Sequence, residues 1–209
     1  LHSFPTRRSS DLHLISGINE EMLAKIQENQ KTKENLGIST EEAENTAKMV
    51  ALAAIKYGDL SNQASKDYIF DIDRFTSFEG NTGPYILYTI VRIKSILKKY
   101  AENGGNAEGA KILAAENAAE KALMLQVLKF NEVIDAVYAE TAPHKLCAYI
   151  YDLANEFNKF YHETKILSEE DEAKKRGYIA LLNLAKKVLE TCIDLLGFTE
   201  IGRASCRER

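Results

Sequence analysis

The sequence predicts an all-α protein, and three observations support this fold class. Apolar residues recur at spacings of three and four through most of the chain, as they do along one face of an amphipathic helix. Glycine and proline, which interrupt or end helices, mark the breaks between these periodic stretches. The chain shows no internal repeat and no extended low-complexity tract. The predicted architecture is an antiparallel bundle of four or five helices.

Both ends of the chain are expected to be foreign to the protein. Residues 2–12 can be encoded by one nucleotide string, and residues 201–209 by its reverse complement. An adapter ligated to both ends of a DNA fragment produces this relation, whereas two ends of a natural protein have no physical reason to share it. We therefore expect residues 1–12 and 201–209 to be adapter-derived tails and His13–Glu200 to be the native segment. The alternative is a native basic arm at each end that contacts phosphates.

Composition restricts the kinds of partner that the native segment can have. Without the five Lys and Arg and the two Asp and Glu of the tails, the totals of 27 and 31 fall to 22 and 29, a net charge of about −7. Nucleic-acid binders usually carry a basic surface, so any contact with RNA must be local.

The native segment contains two cysteines, Cys147 and Cys192, and neither a signal peptide nor an apolar run long enough to span a membrane. These features favour a reduced cytoplasmic protein in which both thiols are small apolar fillers.

The first periodic stretch predicts a helix over Thr40–Tyr57. Ser39 and Glu42 have the spacing of a capping box, and apolar residues recur behind them at helical spacing. From Gly58 to Pro84 the pattern breaks into short polar and aromatic stretches, which predicts an irregular connector ending in a turn.

A second helix is predicted to run from Pro84 to Tyr100, because proline is tolerated in a first helical turn. Its buried stripe is expected to be Ile86, Ile90, Ile93 and Leu97. The three glycines within Glu102–Gly109 then indicate a flexible surface loop.

Four more helices are predicted after this loop. Two of them span Ala110–Leu128, which is rich in alanine, and Glu132–Glu140. Pro143 opens the next one, whose bundle seam is formed by Leu146, Ile150, Leu153, Phe157 and Phe160. The last helix is stopped at Gly197, and its apolar face is formed by Leu181, Ala185, Val188, Cys192 and Leu195.

An aromatic and cationic face is the main candidate for binding. Tyr85, Tyr88 and Arg92 share one face of the second helix, and tyrosine rings stack on unpaired bases with about 1–3 kcal/mol each. The arginine would add a phosphate or cation–π contact. Tyr161, near the end of the Pro143 helix, could present its ring to a base in the same way. The alternative for every one of these tyrosines is ordinary packing with the hydroxyl exposed.

No pattern in the sequence points to chemistry. Asp67, Asp71 and Asp73 lack the glycine that a calcium loop requires, so we expect capping and turn roles and no metal site. His144 and His162 have no partner at metal-ligand spacing. A phosphate-binding glycine-rich loop with lysine is missing, and no nucleophile has an adjacent base, so no catalytic residue is predicted.

Three stretches resemble arginyl-tRNA synthetases. Ala53–Ile96 is similar to the junction of that family, including its FEGNT-x-PY stretch at Phe78–Tyr85. Pro143–Glu163 and Val188–Phe198 resemble the anticodon-binding domain of the same family. The resemblance implies that residues 13–76 form the helical end of a class I synthetase catalytic body. It also implies that residues 77–200 form the anticodon-binding helical bundle.

By this resemblance, the whole enzyme activates arginine with ATP and Mg²⁺ and transfers it to tRNA. The family's ATP-handling motifs would lie upstream of His13, so the chain is expected to be a C-terminal fragment that is inactive by itself and binds no cofactor. The implied partner is the anticodon loop of arginine tRNA, with no membrane or DNA partner. The parent enzyme is expected to be monomeric and cytoplasmic.

The resemblance also implies which residues contact the anticodon loop. They are Ser77, Phe78, Glu79, Gly80, Asn81, Thr82, Tyr85, Tyr88, Arg92 and Tyr161. Two residues depart from the family pattern. Ile72 stands where Trp is usual and is expected to alter packing only. Leu87 stands where Gln is usual and is expected to remove a polar contact from the RNA-binding face.

Two other functions remain open at this stage. The chain could be a non-enzymatic helical module that binds a protein through the same aromatic face. It could also be the anticodon-binding domain of a different class I synthetase, although the FEGNT-x-PY stretch argues against this.

Overall fold

The structure is a computed structural model that describes residues 16–24, 40–69 and 71–201. Every regular element in those ranges is a helix, which confirms the predicted all-α class. The helices are residues 16–24 (α1), Thr40–Leu60 (α2), Ile72–Phe75 (α3), Gly83–Glu102 (α4), Ala118–Leu128 (α5), Phe130–Glu140 (α6), Pro143–Glu163 (α7) and Glu172–Leu195 (α8). The capping role predicted for Ser39 lies outside the described residues, as do residues 1–12 and 202–209.

The core forms where α2, α4, α7 and α8 meet. The α7 seam is buried along its whole length, as predicted. Of the predicted α4 stripe, Ile86, Ile90 and Ile93 are buried, whereas Leu97 is only half-buried. On α8 the predicted apolar face is buried except for Leu195, which is 60% exposed. Cys147 and Cys192 are buried free thiols, and burial raises the pKa of each to about 12. Both cysteines are therefore neutral apolar fillers, as predicted.

Helix direction determines which residues of α4 and α7 face each other. Phe160 near the end of α7 contacts Tyr178 near the start of α8, so these two helices are antiparallel. Tyr57 of α2 bonds both Asn81, just before α4, and Cys147, near the start of α7. The starts of α4 and α7 therefore lie close together. Tyr85 bonds Asn155 and, further along both helices, Arg92 bonds Asn158, so the two helices run in the same direction.

Close contact between α2 and α4 depends on Gly83. A Cβ atom at this position would lie 2.3 Å from the carbonyl oxygen of Ala53 and 2.6 Å from its carbonyl carbon. Both atoms are α2 backbone, which cannot rotate aside as a side chain can. A residue without Cβ is thus required where α4 begins.

The helix predicted to begin at Ala110 is wrong in its first turns, because α5 starts only at Ala118. Asn117 caps α5 by accepting a hydrogen bond from the Glu120 amide at 2.8 Å, and the Glu120 carboxylate accepts one from the Glu116 amide at 2.9 Å. The Glu120 carboxylate thus bonds the amide one residue before the cap, a variant of the capping box. Residues 103–117 instead pack against α8, where Arg176 donates a hydrogen bond to the Glu108 carbonyl. Tertiary contacts here override the helix propensity of alanine.

In the part of the chain that the structure describes, none of the helices combines the length and apolar character needed to span a bilayer.

Candidate nucleic-acid interface

A hydrogen-bonded loop at residues 77–82 fixes the start of α4. Thr82 caps the helix: its Oγ1 accepts from the Tyr85 amide at 3.2 Å and donates to the Ser77 carbonyl at 2.6 Å. Gly80 has a φ of 82°, in the left-handed region that glycine adopts without strain. The loop is thereby closed across its base.

Tyr57 anchors this loop to the core. Its hydroxyl lies 2.6 Å from Asn81 Oδ1 and 2.8 Å from the Cys147 carbonyl, so it donates toward both acceptors. Burial raises the pKa of Tyr57, which keeps the hydroxyl protonated as a donor. Asn81 Oδ1 and Thr82 Oγ1 therefore already accept hydrogen bonds within the protein. Glu79, Gly80 and Asn81 are exposed.

Tyr85 joins α4 to α7 through its hydroxyl group. The hydroxyl donates to Asn155 Oδ1 and accepts from Asn158 Nδ2, both at 2.8 Å. Burial raises the pKa of Tyr85, while the Asn158 hydrogen bond and the Arg92 charge act in the opposite direction. The half-buried ring also packs edge-on against Tyr151, with 5.8 Å between ring centroids.

Arg92 lies between two tyrosine rings from different helices. Its guanidinium carbon is 4.7 Å from the Tyr88 ring centroid and 5.4 Å from that of Tyr161. Its two terminal nitrogens donate to Asn158 Oδ1 and to the Tyr88 hydroxyl, each at 2.7 Å. The guanidinium thus makes hydrogen bonds in its plane and cation–π contacts with both rings.

Tyr161 completes the cluster from α7. Its ring stacks on Phe157, with 6.1 Å between centroids and 26° between planes, and it contacts His162 edge-on. Tyr85, Tyr88, Arg92 and Tyr161 are each half-buried, so part of every one remains accessible to solvent. We call these four residues the tyrosine–arginine face.

The predicted site residues therefore divide into two groups. Four of them converge in the tyrosine–arginine face. The others lie in the loop at residues 77–82, next to Tyr85 but far from Arg92. Thr82 and Arg92 are ten residues apart, which corresponds to about 15 Å along a helix. Phe78 is half-buried and packs against the core, and Thr82 is buried.

Sequence reasoning missed Asn155 and Asn158, which connect the face across α7. They stand six and three residues before Tyr161, so the three residues share one flank of the helix beside the apolar seam. That spacing places both asparagines beside Tyr161 and could have indicated them from the sequence. An asparagine on a helix flank nevertheless looks like an ordinary solvent-exposed residue until its partner on the other helix is known.

One expectation about departures from the family pattern is wrong. Leu87 is fully buried in the core and so does not lie on the tyrosine–arginine face. A polar contact with RNA from position 87 would need α4 to turn about its axis. Ile72 is half-buried and packs against the core, which agrees with a role in packing only.

One of the three aspartates of the connector has a structural role. Asp71 caps α3, accepting a hydrogen bond from the Arg74 amide at 3.2 Å. Residues 16–24, 40–69 and 71–201 contain no group of three or more His, Cys, Asp or Glu side chains that could hold a metal ion.

Family models match most of the chain. A model described as the DALR anticodon binding domain matches residues 86–203, and one described as the catalytic domain of class I tRNA synthetases (R) matches residues 2–72. These two matches agree with the resemblance found in the sequence.

Individual relatives agree with the family models. The chain is 68% identical to an arginine–tRNA ligase of Agathobacter rectalis over 91% of this chain and 32% of the relative. It is 54% identical to one of Alkaliphilus oremlandii over 80% of this chain and 28% of the relative. The arginyl-tRNA synthetase structure of Thermus thermophilus superposes with a TM-score of 0.77 and 28% identity, covering 91% of this chain and 31% of that one. The chain spans about a third of the length of these relatives.

Proposed function

Because the chain belongs to the DALR anticodon binding domain family, we propose that its tyrosine–arginine face binds the anticodon loop of a tRNA. The observation that carries this proposal is the convergence of three half-buried tyrosines and one arginine from α4 and α7. Single-stranded loop bases are recognised by stacking on aromatic rings and by hydrogen bonds to their edges. This face offers both kinds of contact.

The local character of the face accounts for RNA binding by an acidic protein. The full sequence has a net charge of −4, so long-range attraction to phosphate is weak. Stacking does not depend on net charge, because every base has a π face. Affinity should therefore come mainly from the bases of the loop, and a double-stranded stem should contribute little.

We further propose that the tRNA is an arginine tRNA and that the protein acts in an ATP- and Mg²⁺-dependent arginine–tRNA ligase of the cytoplasm. Support comes from the relatives, which are named arginine–tRNA ligases. These names favour tRNA binding over the alternative of a protein-interaction module. We assign no step of the ligase reaction to the described residues.

Fluorescence anisotropy with short RNAs tests this function. The probes are the anticodon stem-loop of an arginine tRNA, the same stem carrying an unrelated anticodon, and a loop-free duplex of equal length. We expect the loop-free duplex to bind at least about tenfold more weakly than either stem-loop, because unpaired bases supply the stacking contacts. The arginine stem-loop should bind most tightly, because hydrogen bonds to base edges depend on the identity of the base. Equal affinity for all three RNAs would remove anticodon recognition from this face.

A further inference from the structure

We propose that Arg92 and Asn158 form a brace that holds the Tyr88 and Tyr161 rings in place as a stacking platform. In this proposal the charge of Arg92 positions the rings and does not pair with an RNA phosphate. The inference rests on the proposed function, and it assigns a role to Asn158 that neither the sequence nor the family resemblance indicated.

The contacts of Arg92 support an internal role. Its two terminal nitrogens donate to Asn158 and Tyr88 at 2.7 Å each, and its Nε is shielded from solvent. The guanidinium also contacts the Tyr88 and Tyr161 rings. Arginine is suited to this arrangement because its planar fork fixes several hydrogen bonds at once and stacks on aromatic faces.

Asn158 supports the same conclusion from α7. A guanidinium only donates, so the amide oxygen of Asn158 must face Arg92 and its amide nitrogen must face the Tyr85 hydroxyl. Tyr85 in turn donates to Asn155. The resulting chain of hydrogen bonds runs from Tyr88 through Arg92, Asn158 and Tyr85 to Asn155, and it crosses between α4 and α7 three times.

The brace explains how rings from two helices are held in one arrangement. Tyr88 belongs to α4 and Tyr161 to α7, and the Arg92 guanidinium contacts both. Without the Asn158 hydrogen bond, Arg92 would keep its charge but lose the hydrogen bond that fixes its orientation against α7. A base would then have to order the rings as it binds, and the entropy cost would lower its affinity.

Salt dependence separates the brace from a direct phosphate contact. Removing one phosphate contact lowers the slope of log affinity against log salt by about 0.7 for single-stranded nucleic acid. Removing a brace lowers affinity at every salt concentration and leaves the slope unchanged. Lysine also distinguishes the two roles, because it keeps the charge needed for phosphate and lacks the planar fork needed for the brace.

The experiment uses the full chain and the arginine anticodon stem-loop at several salt concentrations. The variants are Arg92→Lys, Arg92→Gln, Asn158→Leu and Asn158→Asp, with the exposed Asn183→Leu of α8 as a matched control. We expect the two Arg92 variants and Asn158→Leu to bind about tenfold more weakly with an unchanged slope. Asn158→Asp keeps an acceptor for Arg92 but loses the Nδ2 donor to Tyr85, so it should bind more tightly than Asn158→Leu and more weakly than the unsubstituted chain. A lower slope in Arg92→Gln with normal binding by Arg92→Lys would overturn the brace and leave the proposed function standing.

A second measurement examines the brace without RNA. In ¹⁵N-arginine NMR spectra of the free chain, we expect the Arg92 guanidinium to rotate slowly. In Asn158→Leu we expect it to rotate faster. Fast rotation in the unsubstituted chain would overturn the brace even if the RNA binds. If rotation is slow but the chain binds no anticodon stem-loop, both the stacking platform and the proposed function are overturned.

Discussion

Replacing Tyr161 with alanine is expected to weaken binding of the arginine anticodon stem-loop by roughly 5- to 150-fold, because one stacked base contributes roughly 1–3 kcal/mol. Tyr161→Phe should bind almost as well as the unsubstituted chain, since it keeps the ring. Tyr161→Leu should bind as weakly as Tyr161→Ala, since it keeps apolar bulk against Phe157 but offers no π face. Anisotropy titration measures all three.

The matched control for this prediction is Tyr138→Ala. Tyr138 is 87% exposed on α6, which ends just before α7 begins, whereas Tyr161 lies near the end of α7. Lys145 marks the start of α7, next to the end of α6. It lies sixteen residues before Tyr161, or about 24 Å along α7, so Tyr138 should lie well away from an anticodon loop bound at Tyr161. Unchanged affinity in Tyr161→Ala, or an equal loss in Tyr138→Ala, would remove Tyr161 from the interface.

Replacing Gly83 with alanine should have the largest effect on stability. The new Cβ would lie 2.3 Å from the Ala53 carbonyl oxygen, so α2 and α4 must move apart. Overpacking of this kind typically costs about 1–3 kcal/mol, and contact with rigid backbone places Gly83→Ala toward the upper end. Urea unfolding followed by circular dichroism measures the change.

Gly17→Ala is the control for Gly83→Ala. A Cβ at Gly17, also in a helix, would meet no atom within 4 Å. Alanine is favoured over glycine in helices, so this variant should be as stable as the unsubstituted chain or slightly more stable. A Gly83→Ala protein with the same unfolding midpoint as Gly17→Ala would show that the α2–α4 contact can relax freely.

The helical periodicity of apolar residues was enough to predict most of the helices and their buried faces. The α7 seam and the Ile86, Ile90 and Ile93 stripe were predictable because a buried helix face repeats its apolar residues every three or four positions. The start of α5 was not predictable from the same signal. Alanine-rich residues 110–117 favour a helix in isolation, yet in the structure they form none and run beside α8, where Glu116 pairs with Lys174.

The candidate interface was predictable in part for a similar reason. Spacing along α4 placed Tyr85, Tyr88 and Arg92 on one face, because that relation is local to a helix. The contacts of Arg92 with Tyr161 and Asn158 join residues more than sixty positions apart. Periodicity within one helix carries no information about which flank of another helix it will meet.

The most direct measurement of the central claim is site-specific crosslinking of the arginine anticodon stem-loop to the full chain. The RNA carries 4-thiouridine in its loop, and the crosslinked peptides are identified by mass spectrometry after irradiation. If the tyrosine–arginine face binds the loop, adducts should fall on the peptides containing Tyr85–Arg92 and Asn155–Tyr161. Adducts confined to α5 and α6, around the exposed Leu128 and Tyr138, would contradict this account.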